Sequence, residues 1–193
     1  VSSASTKSFG TVSIINGANV AFTATPVIKN ILVDPTSILT LPLSASSAFI
    51  TIPSGGSVVI NGTIKVPKLT GFVSSNVGTP SDTFGALQFI GTENLTLGNN
   101  STVEYVRTAT GMQSITARSD YKNLILSGTT PKNINGPTTV SGTFTINQTG
   151  PAAVTLAGNI TLNGSLTQTS GKLTIGAFTL TMNGGYQGDA TNS

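Results

Sequence analysis

Val140-Ser141-Gly142-Thr143-Phe144-Thr145-Ile146 reads as an apolar residue, a spacer, glycine, a spacer, then two apolar residues one position apart. The same order returns about 16 residues later as Leu156-Ala157-Gly158-Asn159-Ile160-Thr161-Leu162, and it stands earlier as Ile60-Asn61-Gly62-Thr63-Ile64-Lys65-Val66. A degenerate copy follows at once in Leu162-Asn163-Gly164-Ser165-Leu166-Thr167-Gln168, and Ile175 lies a further step of about 19 residues from Leu156. A period near 20 residues with glycine or asparagine at fixed offsets marks a solenoid, each coil being two or three short strands joined by tight corners. The glycines and asparagines are expected to supply positive φ at those corners.

The flanking sequence extends this reading. Short alternating runs recur, among them Ser57-Val58-Val59-Ile60, Val103-Glu104-Tyr105-Val106 and Asn123-Leu124-Ile125-Leu126, bounded by Gly, Asn, Pro or Ser. Good helix formers never gather at helical spacing. The chain therefore reads as all-β, a parallel β-solenoid (β-helix) forming a single unit over residues 1–193. Roughly ten coils would make a rod on the order of 45–50 Å long. The alternative is a β-sandwich, where turns such as Asn163-Gly164 would close antiparallel hairpins. The rhythm is clean over 1–66 and 123–185 and breaks over 67–86, which reads as a loop inserted off the rod.

Composition agrees with a narrow apolar column inside a hydrated shell. Of 193 residues, 32 are Thr, 22 Ser and 16 Asn, roughly a third of the chain, while only 8% are charged. Alternating strand positions would turn Val, Ile, Leu and Phe inward and Thr, Ser and Asn outward. Net charge is +3 and mean hydropathy is +0.21, which argues against disorder. There is no Cys and no His, so disulfides, thiolate metal sites and imidazole bases are excluded. Lys and Arg form no run, so no nucleic-acid partner is expected, and no apolar stretch is long enough for a membrane-spanning helix. The chain begins at Val1 and its methionines are Met112 and Met182, which reads as a processed or excised piece of a longer protein.

Chemistry-bearing residues are few. Six carboxylates are present, Asp34, Asp82, Glu93, Glu104, Asp120 and Asp189. Glu93 and Glu104 are the closest thing to a glycosidase pair, which requires two carboxyls about 5–10 Å apart. The densest charged group is Arg118, Asp120, Tyr121 and Lys122, with Glu104 and Arg107 upstream; it reads as a surface ion-pair group on one corner. A β-helix lyase would need a basic residue beside a carboxylate, commonly with calcium, and the sequence has no Asp-rich calcium site. Thr143/Thr145 and Thr179/Thr181 form Thr-x-Thr pairs, the pattern an ice-binding face would need on every coil. Phe72, Tyr105, Tyr121 and Tyr186 are the candidate exposed aromatics for stacking against sugars. Because binding concentrates in loops on rigid scaffolds, Lys68, Phe72 and Asp82 are the candidate binding residues of the inserted loop.

One further signal comes from phrasing. Ser101-Thr102-Val103-Glu104-Tyr105, then Gln113-Ser114-Ile115 read as a turn, then Tyr121-Lys122-Asn123-Leu124-Ile125-Leu126-Ser127-Gly128 alternate with the Thr139–Ile146 coil and the closing Leu173–Gly184 phrase. This resembles the repetitive, adhesin-like surface proteins of Bacteroidota, closely over most of 93–185 and by texture elsewhere. The resemblance implies a large exported protein, often sent out by type IX secretion, with a non-catalytic solenoid region. Asp82-Thr83-Phe84 is similar to the O-glycosylation acceptor of those bacteria, which makes Thr83 the candidate glycosylated residue. The expectation is a non-catalytic extracellular structural or adhesion segment on the bacterial cell surface, needing no cofactor or metal and inserting in no membrane. Its expected partners are surface glycans, other cell-surface or secretion proteins, and further repeats of its own chain. The alternatives are a glycan-binding module, a β-helix polysaccharide lyase or an ice-binding protein.

Overall fold

The structure, a computed structural model, describes residues 7–42, 49–76, 85–149 and 152–188. Among these residues all regular structure is β-strand, and every strand pair is parallel. The chain winds as a solenoid. Its first rung holds β1 (Ser8–Ile14) and β2 (Asn19–Ala21), and the second β3 (Val27–Val33) and β4 (Ile38–Thr40). The third has three sides, β5 (Ile50–Ile52), β6 (Ser57–Ile60) and β7 (Thr63–Val66). A displaced strand, β8 (Val73–Asn76), precedes the fourth rung of β9 (Leu87–Ile90), β10 (Leu95–Leu97) and β11 (Thr102–Tyr105). The fifth has β12 (Gln113–Ile115) and β13 (Asn123–Gly128), with Tyr121 bridging to Val140 in place of a middle strand. The sixth has β14 (Lys132–Ile134), β15 (Thr138–Val140) and β16 (Phe144–Gln148). The seventh has β17 (Ala153–Leu156), β18 (Ile160–Leu162) and β19 (Leu166–Ser170), and the eighth β20 (Lys172–Thr174), β21 (Leu180–Met182) and β22 (Tyr186–Gly188).

The described residues thus form eight rungs rather than the expected ten. One face runs without interruption from end to end, in the order β2-β4-β7-β11-β13-β16-β19-β22. The other two faces are one seven-stranded sheet over the first rungs and separate four- and three-stranded sheets beyond. β3 is long enough to pair with both β5 and β6, so the corner between those two faces first opens in the third rung.

Register explains the stack. On the continuous face Val20, Leu39, Ile64, Val103, Leu124, Phe144, Leu166 and Tyr186 fall in one column. From Leu39 to Leu166 this column is buried, while alternate positions point outward. Each such side chain contributes about 1.5–3 kcal/mol by leaving water. Slipping one strand by one residue would turn its apolar set to solvent, so alternation fixes the register.

The signature glycines work differently from the sequence expectation. Gly62, Gly142, Gly158 and Gly164 are not in the positive-φ region; that conformation falls instead on Asn16 and on other glycines such as Gly55 and Gly128. What demands glycine at the signature is contact between rungs. A Cβ on Gly142 would lie 2.7 Å from the Lys122 carbonyl oxygen, and one on Gly164 would run into the Gly142 carbonyl. The corners stack too closely for any side chain.

The 67–86 segment also differs from expectation. Its described part belongs to the rod. β8 pairs in parallel with the outer edge of β9, Val73 opposite Leu87, while the Ser114 N–H of β12 donates to the Leu69 carbonyl at 2.8 Å. Residues 69–76 therefore lie between the fourth and fifth rungs on one face. Their strand precedes β9 in sequence but lies beyond it in space.

Candidate functional site

The polar residues gather in two places, one inside the rod and one on a corner. The inner group forms where the intercalated segment meets the fifth and sixth rungs. Gln113 occupies an inward position of β12, and its Nε2 donates to the carbonyls of Val66 (2.7 Å) and Lys68 (3.0 Å). Lys132 is its register partner on β14, fully buried, and its Nζ donates to Gln113 Oε1 at 2.7 Å. Arg107, also buried, donates from Nη1 to the Pro67 carbonyl (3.2 Å) and from Nη2 to the Thr110 carbonyl (3.0 Å). These side chains donate to backbone carbonyls at two corners, Val66–Lys68 where the chain leaves β7 and Thr110 where it approaches β12, which gives buried donors their partners. The cost falls on Lys132: burial, reinforced by the Arg107 charge and opposed by Glu104, lowers its pKa to about 8.

Beside this group, Tyr105 and Tyr121 face each other across adjacent rungs with their hydroxyls 2.9 Å apart. The Thr116 N–H donates to Tyr105 Oη (3.0 Å), and the Tyr121 hydroxyl donates to the Thr116 carbonyl (2.9 Å). The chain of bonds is closed when Tyr105 donates to Tyr121. Burial is the main cause that raises both phenol pKa values, well above the ordinary value for Tyr121.

The outer group is centred on Arg118. Its guanidinium grips Asp120 through two bonds of 2.8 Å (Nε to Oδ1, Nη2 to Oδ2) and also donates to Glu93 Oε1. Burial opposes the Arg118 charge, but Asp120 and Glu93 outweigh it and hold the pKa above the usual arginine value. An open hollow of about 420 Å³ lies alongside, lined by Ala117, Arg118, Ser119, Asp120 and Pro137. A second ion pair joins Lys65 to Glu104 at 3.4 Å on the continuous face, where Ser127 Oγ also donates to Glu104 (2.7 Å).

Set against the sequence expectations, the surface ion-pair group holds for Arg118 and Asp120 and gains Glu93. Arg107 and Tyr121, expected beside them, are buried. Glu93 and Glu104 each bind a different cation. Of the candidate binding residues, Phe72 is fully buried, with its N–H donating to Thr116 Oγ1 (2.9 Å). Lys68 is buried as well, its ammonium 5.3 Å from the Phe49 ring centroid. The apolar positions around them pull both side chains into the rod, so neither lies on an exposed binding loop. Asp82 and Thr83 lie outside the described residues. Among the candidate exposed aromatics, Phe72, Tyr105 and Tyr121 are buried and Tyr186 is half exposed. Gln113–Ile115, expected as a turn, is the strand β12.

The threonines fall into short ladders. Thr139, Thr161 and Thr181 share one outward column, and Thr145 and Thr167 share another. The second column is interrupted by Ile125 and the Glu104–Lys65 pair before it reaches Thr40. Among the described residues no three of His, Cys, Asp and Glu lie close enough to hold a metal ion together. Among the described residues no helix is long and apolar enough to cross a membrane.

The residues that sequence reasoning missed are the inward glutamines. Gln88, Gln113, Gln148 and Gln168 are all buried, and each donates to a backbone carbonyl at or near a corner. The available signal was alternation: Gln113 stands two residues before the core Ile115, on the same side of its strand. The chain matches no family model, no curated protein and no solved structure among those it was compared with.

Proposed function

We infer that the chain is a non-catalytic structural and adhesion segment of a bacterial cell-surface protein, an extracellular rod that holds neighbouring parts at a distance from the envelope. The observation that carries this reading is the disposition of the reactive side chains. Arg107, Lys132, Tyr105 and Tyr121 are spent inside the stack on backbone and on neighbouring side chains, while Arg118 is held between Glu93 and Asp120 at a corner. The outward strand positions carry mainly hydroxyls and amides, such as Thr139, Thr161 and Thr181, which hydrate without calling for a ligand. Parallel rungs with a continuous core suit a load-bearing spacer. The phrases shared with adhesin-like surface proteins of Bacteroidota point the same way, and they carry the export and surface location.

The test is replacement. In the producing cell, deleting the segment abolishes attachment, and substituting an unrelated rigid rod of matching length restores it. Failure of the substitute to restore attachment would shift the reading to the alternative, a glycan-binding module. The hollow beside Arg118 and Asp120 favours that second reading, because a fixed ion pair at the rim of an open hollow can direct hydrogen bonds to sugar hydroxyls. A glycan array with the isolated chain and with Asp120→Ala separates the two.

A further inference from the structure

We propose that the rod carries a yielding joint between its fourth and fifth rungs, hinged on the continuous face, at which the two halves part under load and then unfold as separate units. The inference rests on the reading of the chain as a load-bearing rod and adds where that rod gives way. Backbone ladders bind each rung to the next, and the boundaries differ in how many faces carry one. The first and second rungs are joined on two faces, β1 to β3 and β2 to β4. The third and fourth are joined on all three, β5 to β9, β6 to β10 and β7 to β11. The sixth, seventh and eighth are likewise joined on three. The second and third share ladders on both sides, and the fifth and sixth share two ladders and the Tyr121–Val140 bridge. Among the described residues the fourth and fifth are joined by a ladder on one face alone, where β11 pairs with β13.

The displaced strand explains the difference. β8 lies on the outer edge of β9, Val73 opposite Leu87, so β12 finds that edge taken and pairs with β14 alone. On the middle face the fifth rung has no strand to lay on β10: residues 117–120 carry the chain past it, and Tyr121 bridges onward to Val140. On these two faces isolated bonds stand in for ladders. The Ser114 N–H donates to the Leu69 carbonyl (2.8 Å), the Phe72 N–H donates to Thr116 Oγ1 (2.9 Å), and Arg118 reaches across to Glu93. Inside, the Tyr105 and Tyr121 hydroxyls meet at 2.9 Å, and Gln113 holds the Val66 and Lys68 carbonyls.

A pull along the rod runs across its strands and stretches the bonds between rungs directly. A boundary with one ladder bears that load on fewer bonds than a boundary with two or three, so it opens first. The β11–β13 ladder, with Val103 opposite Leu124, stands to one side of the core and acts as the hinge while the other two faces part. The corner beyond it holds as well, the Thr130 N–H donating to the Arg107 carbonyl (3.3 Å). Each half keeps its own ladders and its own buried side chains, such as Ile31, Ile60 and Phe89 before the joint and Ile134, Phe144 and Leu162 beyond it. Blocks whose internal contacts outweigh the contacts between them open as separate cooperative units. A solenoid with equal boundaries would instead open at any rung.

The test is single-molecule stretching of the full chain between handles at its two termini. Two steps are expected, about 290 Å for residues 108–188 and about 360 Å for residues 7–107, at roughly 3.6 Å per extended residue. Thr116→Val deletes the acceptor of the Phe72 N–H at nearly constant volume; it lowers the force of the first step and leaves the second unchanged. A single step of about 650 Å overturns the proposal, because the halves then unfold as one. A staircase of steps of about 70 Å also overturns it, because rungs of roughly 20 residues then open one at a time. An unaltered first step in Thr116→Val does the same, since the bonds across the boundary then carry none of the load. The rod reading is judged separately: attachment restored by an unrelated rod alongside single-step unfolding sinks the joint alone, whereas two steps in a chain whose deletion leaves attachment intact sink the rod reading alone.

Discussion

Replacing Lys132 by methionine should flatten the pH dependence of stability between pH 7 and 9.5. The side chain is fully buried against Gln113, with no carboxylate bound to it, and its pKa falls from 10.5 to about 8. Below pH 8 the ammonium is charged in both states, and folding must bury the charge. Between about 8 and 10.5 the unfolded chain keeps the proton and the fold does not, so stability rises with pH. At about 1.4 kcal/mol per decade the full gain is on the order of 3 kcal/mol, of which about 2 falls between pH 7 and 9.5. Methionine fills a similar volume and removes the charge, but it leaves Gln113 Oε1 without its donor, at a cost of about 1–3 kcal/mol. The net change at pH 7 is therefore small, and the decisive quantity is the slope. Urea unfolding at pH 7, 8, 9 and 9.5 should give a wild-type free energy that climbs by about 2 kcal/mol and a Lys132→Met variant that lacks the climb. A flat wild type, or a variant that climbs equally, would refute the assignment of a strained buried ammonium.

Above pH 10 the direction reverses. Tyr105 and Tyr121 have pKa values raised by burial, so the unfolded chain loses phenol protons that the fold retains, and stability falls as pH rises; unfolding curves at pH 10 and 11 check the sign. Tyr121→Phe removes a donor to the Thr116 carbonyl and the acceptor for Tyr105, costing about 1–3 kcal/mol in urea unfolding at pH 7, and an unchanged midpoint would contradict the closed chain of bonds. Gly164→Ala drives a Cβ into the Gly142 carbonyl and should cost about 1–3 kcal/mol in a thermal melt, while Gly185→Ala, with open space around it, serves as the neutral control. Arg118→Gln should cost less than about 1 kcal/mol and less still in high salt, because its carboxylate partners are partly solvated; a larger, salt-independent loss would assign the corner a structural role.

The fold was legible because a solenoid repeats its demands. Alternation placed Val140, Leu162 and Ile146 inward, and the glycine signature marked corners that are indeed corners. The reason for glycine was not legible, since closeness to the rung beneath is a tertiary fact that local conformation does not reveal. The number of rungs came out too high because dividing length by period counts the 67–76 segment and the long corners as coils. The same segment misled the choice of binding residues. Pro67, Ser74 and Ser75 punctuate it like a loop, and a lysine normally marks a surface, yet Lys68 lies over Phe49 and Phe72 is sealed inside. Inward glutamines look like shell residues in composition, and only their partner carbonyls, set by the winding, give them a role.

The out-of-order strand has a consequence for how the chain can wind. A polypeptide emerging from a ribosome or an export pore can lay its first three rungs one upon another as they appear. β8 emerges next with nothing to lie on, because the edge it covers belongs to β9, which has not yet been delivered. Threading β9 between β5 and β8 makes the fourth rung a join instead of an addition, and growth toward the C-terminus waits on it. Past that point β12 has the inserted segment as its floor, and the remaining rungs can follow in the order in which they are made.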